Sequence, residues 1–149
     1  MKLCLVCSSG GHLFELFSLD EMWSAKDHFW VSFATQDASY LLKDEKVYWA
    51  HYPTNRNILN LFRNLFLAWK VLKKEKPDIV ISTGAGVGVP FLLVGWVLRK
   101  KTIYIELITR IDNISLSGLL VYPFVDKFLV QWEGLVKKYR KAEFHGRTL

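Results

Sequence analysis

Cysteine is scarce in this 149-residue chain, which holds only Cys4 and Cys7. Two are too few for a disulfide framework, and nothing else in the sequence points to an oxidising compartment. Their C-x-x-C spacing lies in an apolar, strand-like run and not at a helix start, so a redox pair is not expected. On a strand the two side chains point to opposite faces. Acidic residues are also few: 14 against 20 Lys and Arg, for a formal net charge of +6. Long apolar runs are missing. The longest, "VGVPFLLVGWVL" over residues 87–98, falls short of the ~18 residues of a membrane span. Pro90 and Gly95 interrupt it, so it reads as a buried helix or one touching a membrane surface. Lys2 precedes only a short apolar run, so no signal peptide is expected.

Several chemistries lack their motif. There is no G-x-x-x-x-G-K-[ST] loop, no G-x-G-x-x-G at the first turn, no Asp-x-Asp pair, no G-x-S-x-G elbow and no Cys/His metal set. Neither a metal nor a cofactor is expected. No nucleic-acid recognition motif accompanies the positive charge.

What is present argues for a packed fold. Hydrophobic residues make up 51% of the chain, enough for a core and against disorder. The length fits one domain over residues 1–149. Ten Phe and six Trp exceed the needs of a small core and suit an interface or membrane surface. The basic excess falls in clusters: Lys73, Lys74 and Lys76; Arg99, Lys100 and Lys101; Lys137, Lys138, Arg140 and Lys141. Each lies near the end of an expected helix. There it complements the helix dipole, or it attracts anionic lipid or a phosphorylated ligand.

Hydrophobic periodicity predicts strands at 2–7, 28–34, 46–52, 78–82, 102–106 and 127–131. Helices are predicted at 12–23, 37–43, 56–76, 91–100 and 132–141, with a short one within 107–125. In the long segment 56–76, Asn60, Arg63, Asn64, Lys70 and Lys74 form a narrow polar stripe on a wide apolar surface. Strands alternate with helices and are apolar on both faces. The expected fold is α/β: a Rossmann-like parallel sheet with helices on both faces. Ligands of such sheets bind beyond the carboxyl ends of the strands.

Three strand-to-helix loops stand out. The first is Ser8-Ser9-Gly10-Gly11-His12, where glycine permits close backbone approach and the helix start suits an anion. His12 falls in the first helical turn, where the dipole favours a neutral ring able to move a proton. A tight turn beside a surface histidine is the plainer alternative. Glu15 reads as an acid favourable to the same dipole. The second loop, "STGAGVGVP" over 82–90, places Gly84, Gly86 and Gly88 between a strand and a helix. The third, "IELITRID" over 105–112, ends a buried strand in Glu106, with Arg110 four residues on. A charge there needs a partner or a ligand, so the two either pair or hold a sugar hydroxyl or phosphate.

The segments "SSGGH", "PDIVISTGAGVGVPF", "TIYIE…R" and "LVYPFVDKFLVQW" together resemble the smaller, non-donor subunit of split GT-B glycosyltransferases. One branch is the membrane-anchoring subunit of the UDP-N-acetylglucosamine transferase of asparagine-linked glycosylation. The other is the bacterial PssD/CpsF type of capsule and exopolysaccharide synthesis, read here as the nearer one. The acceptor half of the fused peptidoglycan glycosyltransferase is similar in the same loops. The resemblance implies the N-terminal half of a GT-B enzyme that binds a polyprenyl-diphosphate-linked sugar on the cytoplasmic face of the cell membrane. It further implies recruitment of a PssE/CpsG-type donor subunit, with weak or no activity of this chain alone. Carried over by motif, Ser9, Gly10, Gly11 and His12 face the diphosphate or acceptor hydroxyl. Gly84, Gly86 and Gly88 line a second side, and Glu106 and Arg110 sit in the cleft. His12 and Glu106 are the catalytic candidates, His12 as general base. The family pattern between the Glu and Arg is a small residue and an aromatic; here it is Leu107-Ile108-Thr109. The chain opens at strand one, so apolar helices and basic clusters are the expected membrane contacts. Two other readings are a small dinucleotide enzyme, with Asp37 as the ribose acid, and a scaffold that only anchors the donor subunit.

Overall fold

The computed structural model describes residues 1–148. Seven strands form one sheet: β1 (Lys2–Cys7), β2 (Asp27–Ser32), β3 (Val47–Trp49), β4 (Ile79–Gly84), β5 (Lys101–Ile105), β6 (Lys127–Val130) and β7 (Ala142–Phe144). Their order is β3-β2-β1-β4-β5-β6-β7, and every pairing is parallel. The connecting helices are α1 (Gly11–Phe17), α2 (Asp20–Trp23), α3 (Gln36–Leu41), α4 (Ile58–Glu75), α5 (Gly88–Val97), α6 (Leu116–Val121) and α7 (Glu133–Lys138). The chain runs outward from β1 in one direction through β3, then returns to β4 and continues the other way. The order reverses between β1 and β4, which is where an open α/β sheet leaves a crevice at its carboxyl edge.

Side-chain alternation along β1 divides the core in two. Cys4 and Val6 join Ala68, Val71 and Leu72 of α4 and Phe91 and Leu92 of α5 on one face. Leu3, Leu5 and Cys7 join Leu13 and Leu16 of α1, Trp23 of α2 and Ala38 of α3 on the other. Both cysteines are free and buried, and burial pushes both thiols up, away from the reactive thiolate.

Four elements depart from the periodicity. The predicted helix 12–23 breaks into α1 and α2, because Ser18 Oγ turns back to the Phe14 carbonyl (2.7 Å) and Leu19 leaves helical backbone. The predicted helix 91–100 starts earlier, at Gly88, because Pro90 lies in the first turn, where its missing N–H costs nothing. Strand β3 stops at Trp49: both backbone polar groups of His51 are taken by the Asn64 side chain (2.9 and 3.0 Å), not by a strand. The final helix ends at Lys138, short of the predicted 141, and β7 follows as a seventh strand in a segment to which periodicity assigned no element.

The polar stripe of α4 divides: Arg63, Lys70 and Lys74 are exposed, whereas its two asparagines face inward. Asn60 and Asn64 are buried, pinning residues 51–57 through Pro53 and His51. Leu59, Phe62, Phe66 and Trp69 lie in the open, Phe66 at 74% exposure.

At the opposite edge of the sheet, Glu75 closes α4. Its carboxylate is almost fully buried and accepts from Lys46 Nζ (2.8 Å), Tyr48 Oη (2.6 Å) and Lys2 Nζ (2.9 Å). The Lys46 and Tyr48 hydrogen bonds, with the Lys2 charge behind them, hold its carboxyl down at about 2, against desolvation. A depressed carboxyl stabilises the fold above its unfolded value, and that contribution is lost as pH falls from about 4.5 through about 2. The shift alone corresponds to about 3 kcal/mol. Lys46 is 59% exposed, and solvent screening reduces the figure to about 1–2 kcal/mol. Glu75→Gln is expected to lose this amount at pH 7 in urea unfolding and to flatten the acid limb of the stability profile.

Candidate functional site

The carboxyl edge of the sheet opens into a cleft of about 960 Å³, at the upper end of the roughly 300–1,000 Å³ of small-molecule sites. It is built where four strand-to-helix loops meet. The β1–α1 turn supplies His12, the β3–α4 loop supplies Thr54 to Asn57, the β4–α5 loop supplies Ala85 and Gly86, and the β5–α6 loop supplies Glu106, Leu107, Thr109, Arg110 and Ser115. Behind them the walls are apolar side chains of α4, α5 and α6.

His12 is held across the strand-order reversal. Its Nδ1 lies 2.9 Å from the Thr83 carbonyl, and Thr83 Oγ1 donates back to the His12 carbonyl at 2.7 Å. A carbonyl only accepts, so Nδ1 carries the hydrogen in this contact. Nε2 makes no hydrogen bond among the described residues and is the ring atom left to exchange a proton.

Glu106 is 1% exposed and is held by hydrogen bonds, with no ion pair to Arg110 among the described residues. Its Oε2 accepts from Ser115 N (2.8 Å) and Ser115 Oγ (3.0 Å); its Oε1 accepts from Tyr104 Oη and Leu107 N, both at 3.3 Å. The strand-end carboxyl therefore folds the β5–α6 loop back on itself. It reaches the cleft already surrounded by donors.

The glycines divide by task. Gly86 lines the cleft, and a Cβ there would meet Thr54 at 2.6 Å, so this glycine lets two loops touch. Gly84 and Gly88 do not line the cleft. Gly84 has φ +110 and lies under the Tyr104 hydroxyl, and a Cβ on Gly88 would overlap Ser82 Oγ. They are packing positions at the strand end. Ser9, Gly10 and Gly11 also lie outside the cleft lining. Gly10 N donates to Asp37 Oδ2 at 2.8 Å, and this bond with that of Thr35 Oγ1 keeps the Asp37 carboxyl low. The acid read as a ribose partner is thus spent on fixing the glycine turn.

Three parts of the site were missed. Arg56 enters from the β3–α4 loop with φ 50. Neither it nor Arg110 has a side-chain hydrogen bond or ion pair among the described residues. Residues 53–57 also follow a strand and precede a helix, so the rule that selected the other loops applied to them too. Glu15, read as a dipole acid, is buried and accepts from Ile108 N (3.0 Å) and Thr148 Oγ1 (2.8 Å). The Ile108 carbonyl accepts from Trp132 Nε1 at 2.6 Å. The unusual Leu107-Ile108-Thr109 segment is therefore clamped through both backbone polar groups of its central residue, ahead of Arg110. Among the described residues, no cluster of His, Cys, Asp and Glu could hold a metal ion, and no helix is long and apolar enough to cross a membrane.

Residues 50–148, which include the second and third of these loops and Arg56, match the family described as oligosaccharide biosynthesis protein Alg14 like. The chain belongs to the Alg14-like family. The rat UDP-N-acetylglucosamine transferase subunit ALG14 is 32% identical over 181 aligned positions, covering all of this chain and 83% of the rat protein. The subunit from Homo sapiens is 29% identical over 182 positions with the same coverage. The Yarrowia lipolytica subunit is 38% identical over 86 residues, which are 54% of this chain and 40% of that protein. Among solved structures, Acinetobacter baumannii MurG superposes with a TM-score of 0.76 at 17% identity, over 90% of this chain and 43% of MurG. The UDP-GlcNAc 2-epimerase of Methanocaldococcus jannaschii gives 0.77 at 16%, over 99% and 47%. At such identities the likeness speaks for the fold: this Alg14-like chain is one Rossmann-like half of the GT-B architecture and spans less than half of those enzymes.

Proposed function

We propose that this chain is the acceptor-binding subunit of a two-chain glycosyltransferase acting in lipid-linked oligosaccharide synthesis. A separate donor subunit brings the nucleotide sugar, and the acceptor is a polyprenyl-diphosphate-linked sugar. The observation that carries this reading is the cleft at the β1/β4 reversal. It joins a histidine held at Nδ1, with Nε2 unbonded, to two guanidiniums without partners among the described residues, Arg56 and Arg110. Guanidiniums suit diphosphate oxygens, and a free imidazole nitrogen suits a hydroxyl proton. Nε2 takes the proton of the acceptor hydroxyl as that oxygen bonds to the anomeric carbon, and the nucleoside diphosphate leaves with the electron pair of the broken bond. The names of the curated relatives support N-acetylglucosamine as the sugar. The resemblance to the PssD/CpsF type supports a setting in bacterial capsule or exopolysaccharide synthesis with a PssE/CpsG-type partner.

The chain sits peripherally on the inner face of the cell membrane in this reading. The outward residues Leu59, Phe62, Phe66 and Trp69 of α4, followed by Lys73 and Lys74, form an apolar face with a basic edge. The dinucleotide alternative is weakened by Asp37, whose carboxyl is committed to Gly10 and Thr35.

The deciding experiment assays sugar transfer to vesicle-borne acceptor with this chain, the donor subunit, or both, using labelled UDP-N-acetylglucosamine, UDP-galactose and UDP-glucuronic acid. Transfer is expected only from the mixture, with one donor strongly preferred. Phe62→Glu with Phe66→Glu is expected to lower vesicle-based transfer tenfold or more and to spare transfer to a detergent-solubilised acceptor. Undiminished activity of the donor subunit alone overturns the proposal.

A further inference from the structure

The cleft joins two kinds of surface. Its polar residues come from loops at the carboxyl ends of the strands, which are also the amino ends of α4, α5 and α6. Moving along those helices, the lining turns apolar: Ile58, Leu61 and Leu65 on α4, Leu93 on α5, Leu120 on α6 and Phe124 just beyond it. Helix α5 packs between α4 and α6, so these side chains border a lane with α5 as its floor. The lane leads to Phe124, whose ring lies 5.0 Å from that of Trp96, a residue 51% exposed. Arg99, Lys100 and Lys101 follow α5 at that end.

Building on the acceptor-side reading above, we propose that this lane binds the first isoprene units of the acceptor's own hydrocarbon chain. On this view the protein, and not only the bilayer, holds the lipid. The charge pattern commits the lane to that occupant. Two unpartnered guanidiniums sit at its polar end, and the apolar walls carry no charged side chain. This matches an amphiphile with one anionic head and a single apolar tail. The match has an energetic consequence. Each buried methylene adds to affinity, so a tail that follows the lane must bind more tightly with each unit, until the lane is full. A tail left in the bilayer gives the chain no such dependence.

The test needs no membrane. Binding of the isolated chain to isopentenyl, geranyl and farnesyl diphosphate is measured by calorimetry below micelle-forming concentrations, with inorganic pyrophosphate and farnesol as head-only and tail-only probes. Affinity is expected to rise about tenfold or more for each added isoprene unit. Farnesol and pyrophosphate should each bind far more weakly than farnesyl diphosphate. Leu61→Glu with Leu120→Glu, both partly exposed positions, should abolish the length dependence and leave pyrophosphate binding unchanged. Arg56→Gln should weaken the whole series evenly. A flat series on the unaltered protein overturns the lane, as does an equally steep series in the double variant. The reconstituted pair is assayed in parallel on a farnesyl-diphosphate-linked sugar. A flat series with active transfer overturns the lane and leaves the transferase reading. A steep series without transfer overturns the transferase reading and leaves an isoprenoid diphosphate site.

Discussion

Replacing His12 by alanine is expected to lower the kcat of sugar transfer by the reconstituted pair by about 10²–10⁴-fold, the usual contribution of a positioned general base. The acceptor KM should move little, because the proposed anchors for a diphosphate are Arg56 and Arg110. The variant should fold. Thr83 Oγ1 donates to the backbone carbonyl of residue 12, which alanine retains, so only the Nδ1 contact disappears. A single such hydrogen bond is worth about 1 kcal/mol. Thermal melting of His12→Ala therefore provides the control, and steady-state kinetics provide the result. A kcat within twofold of the parent would make this chain a scaffold that positions the lipid and recruits the donor subunit, with the catalytic base elsewhere.

Glu106→Ala is expected to act through stability. The side chain is buried, and four donors converge on its two oxygens: Ser115 N, Ser115 Oγ, Tyr104 Oη and Leu107 N. Removing the acceptor strands Ser115 N and Leu107 N and leaves the Tyr104 and Ser115 hydroxyls only each other to donate to, 2.9 Å apart. Each buried donor left unpaired costs about 1–3 kcal/mol, and such losses are not additive. A total of about 3–5 kcal/mol is a large part of the usual margin of about 5–15 kcal/mol. Glu106→Gln replaces one acceptor oxygen with a donor and should fall between parent and alanine. Denaturant midpoints decide the matter. Unchanged midpoints with lost transfer would return Glu106 to the role of a residue that acts on substrate.

The pattern of strands and helices was legible because it is local. An apolar run bounded by glycine, such as 2–7, has few alternatives, and strands apolar on both faces require covering layers. The places that were misread involve side chains that satisfy distant backbone. Asn60 and Asn64 read only as part of a polar stripe because polarity alone sets the periodicity signal. Their amide groups instead replace strand partners for His51 and hold Pro53, which turns the aromatic face of α4 outward. Glu15 looked like a dipole acid for the same reason, yet it reaches Ile108, 93 residues away. Strand β7 was hidden because three residues carry too little periodicity to register.

Six of the seven strands, the loops at their carboxyl edge and the kinship with Alg14-like proteins were legible in the sequence, since these rest on spacing, glycine and short motifs. Tertiary structure alone decided which loop residues share a cleft. Of the candidates, it brought together His12, Gly86, Glu106 and Arg110 and added Arg56. It left Ser9, Gly10, Gly11, Gly84 and Gly88 outside the cleft lining. The physical reason is that a glycine reads alike in sequence whether it makes room for a ligand, for a hydroxyl or for a neighbouring loop. Only the atoms a Cβ would meet separate these tasks: a hydroxyl at Gly84 (Tyr104) and Gly88 (Ser82), and a neighbouring loop at Gly86 (Thr54).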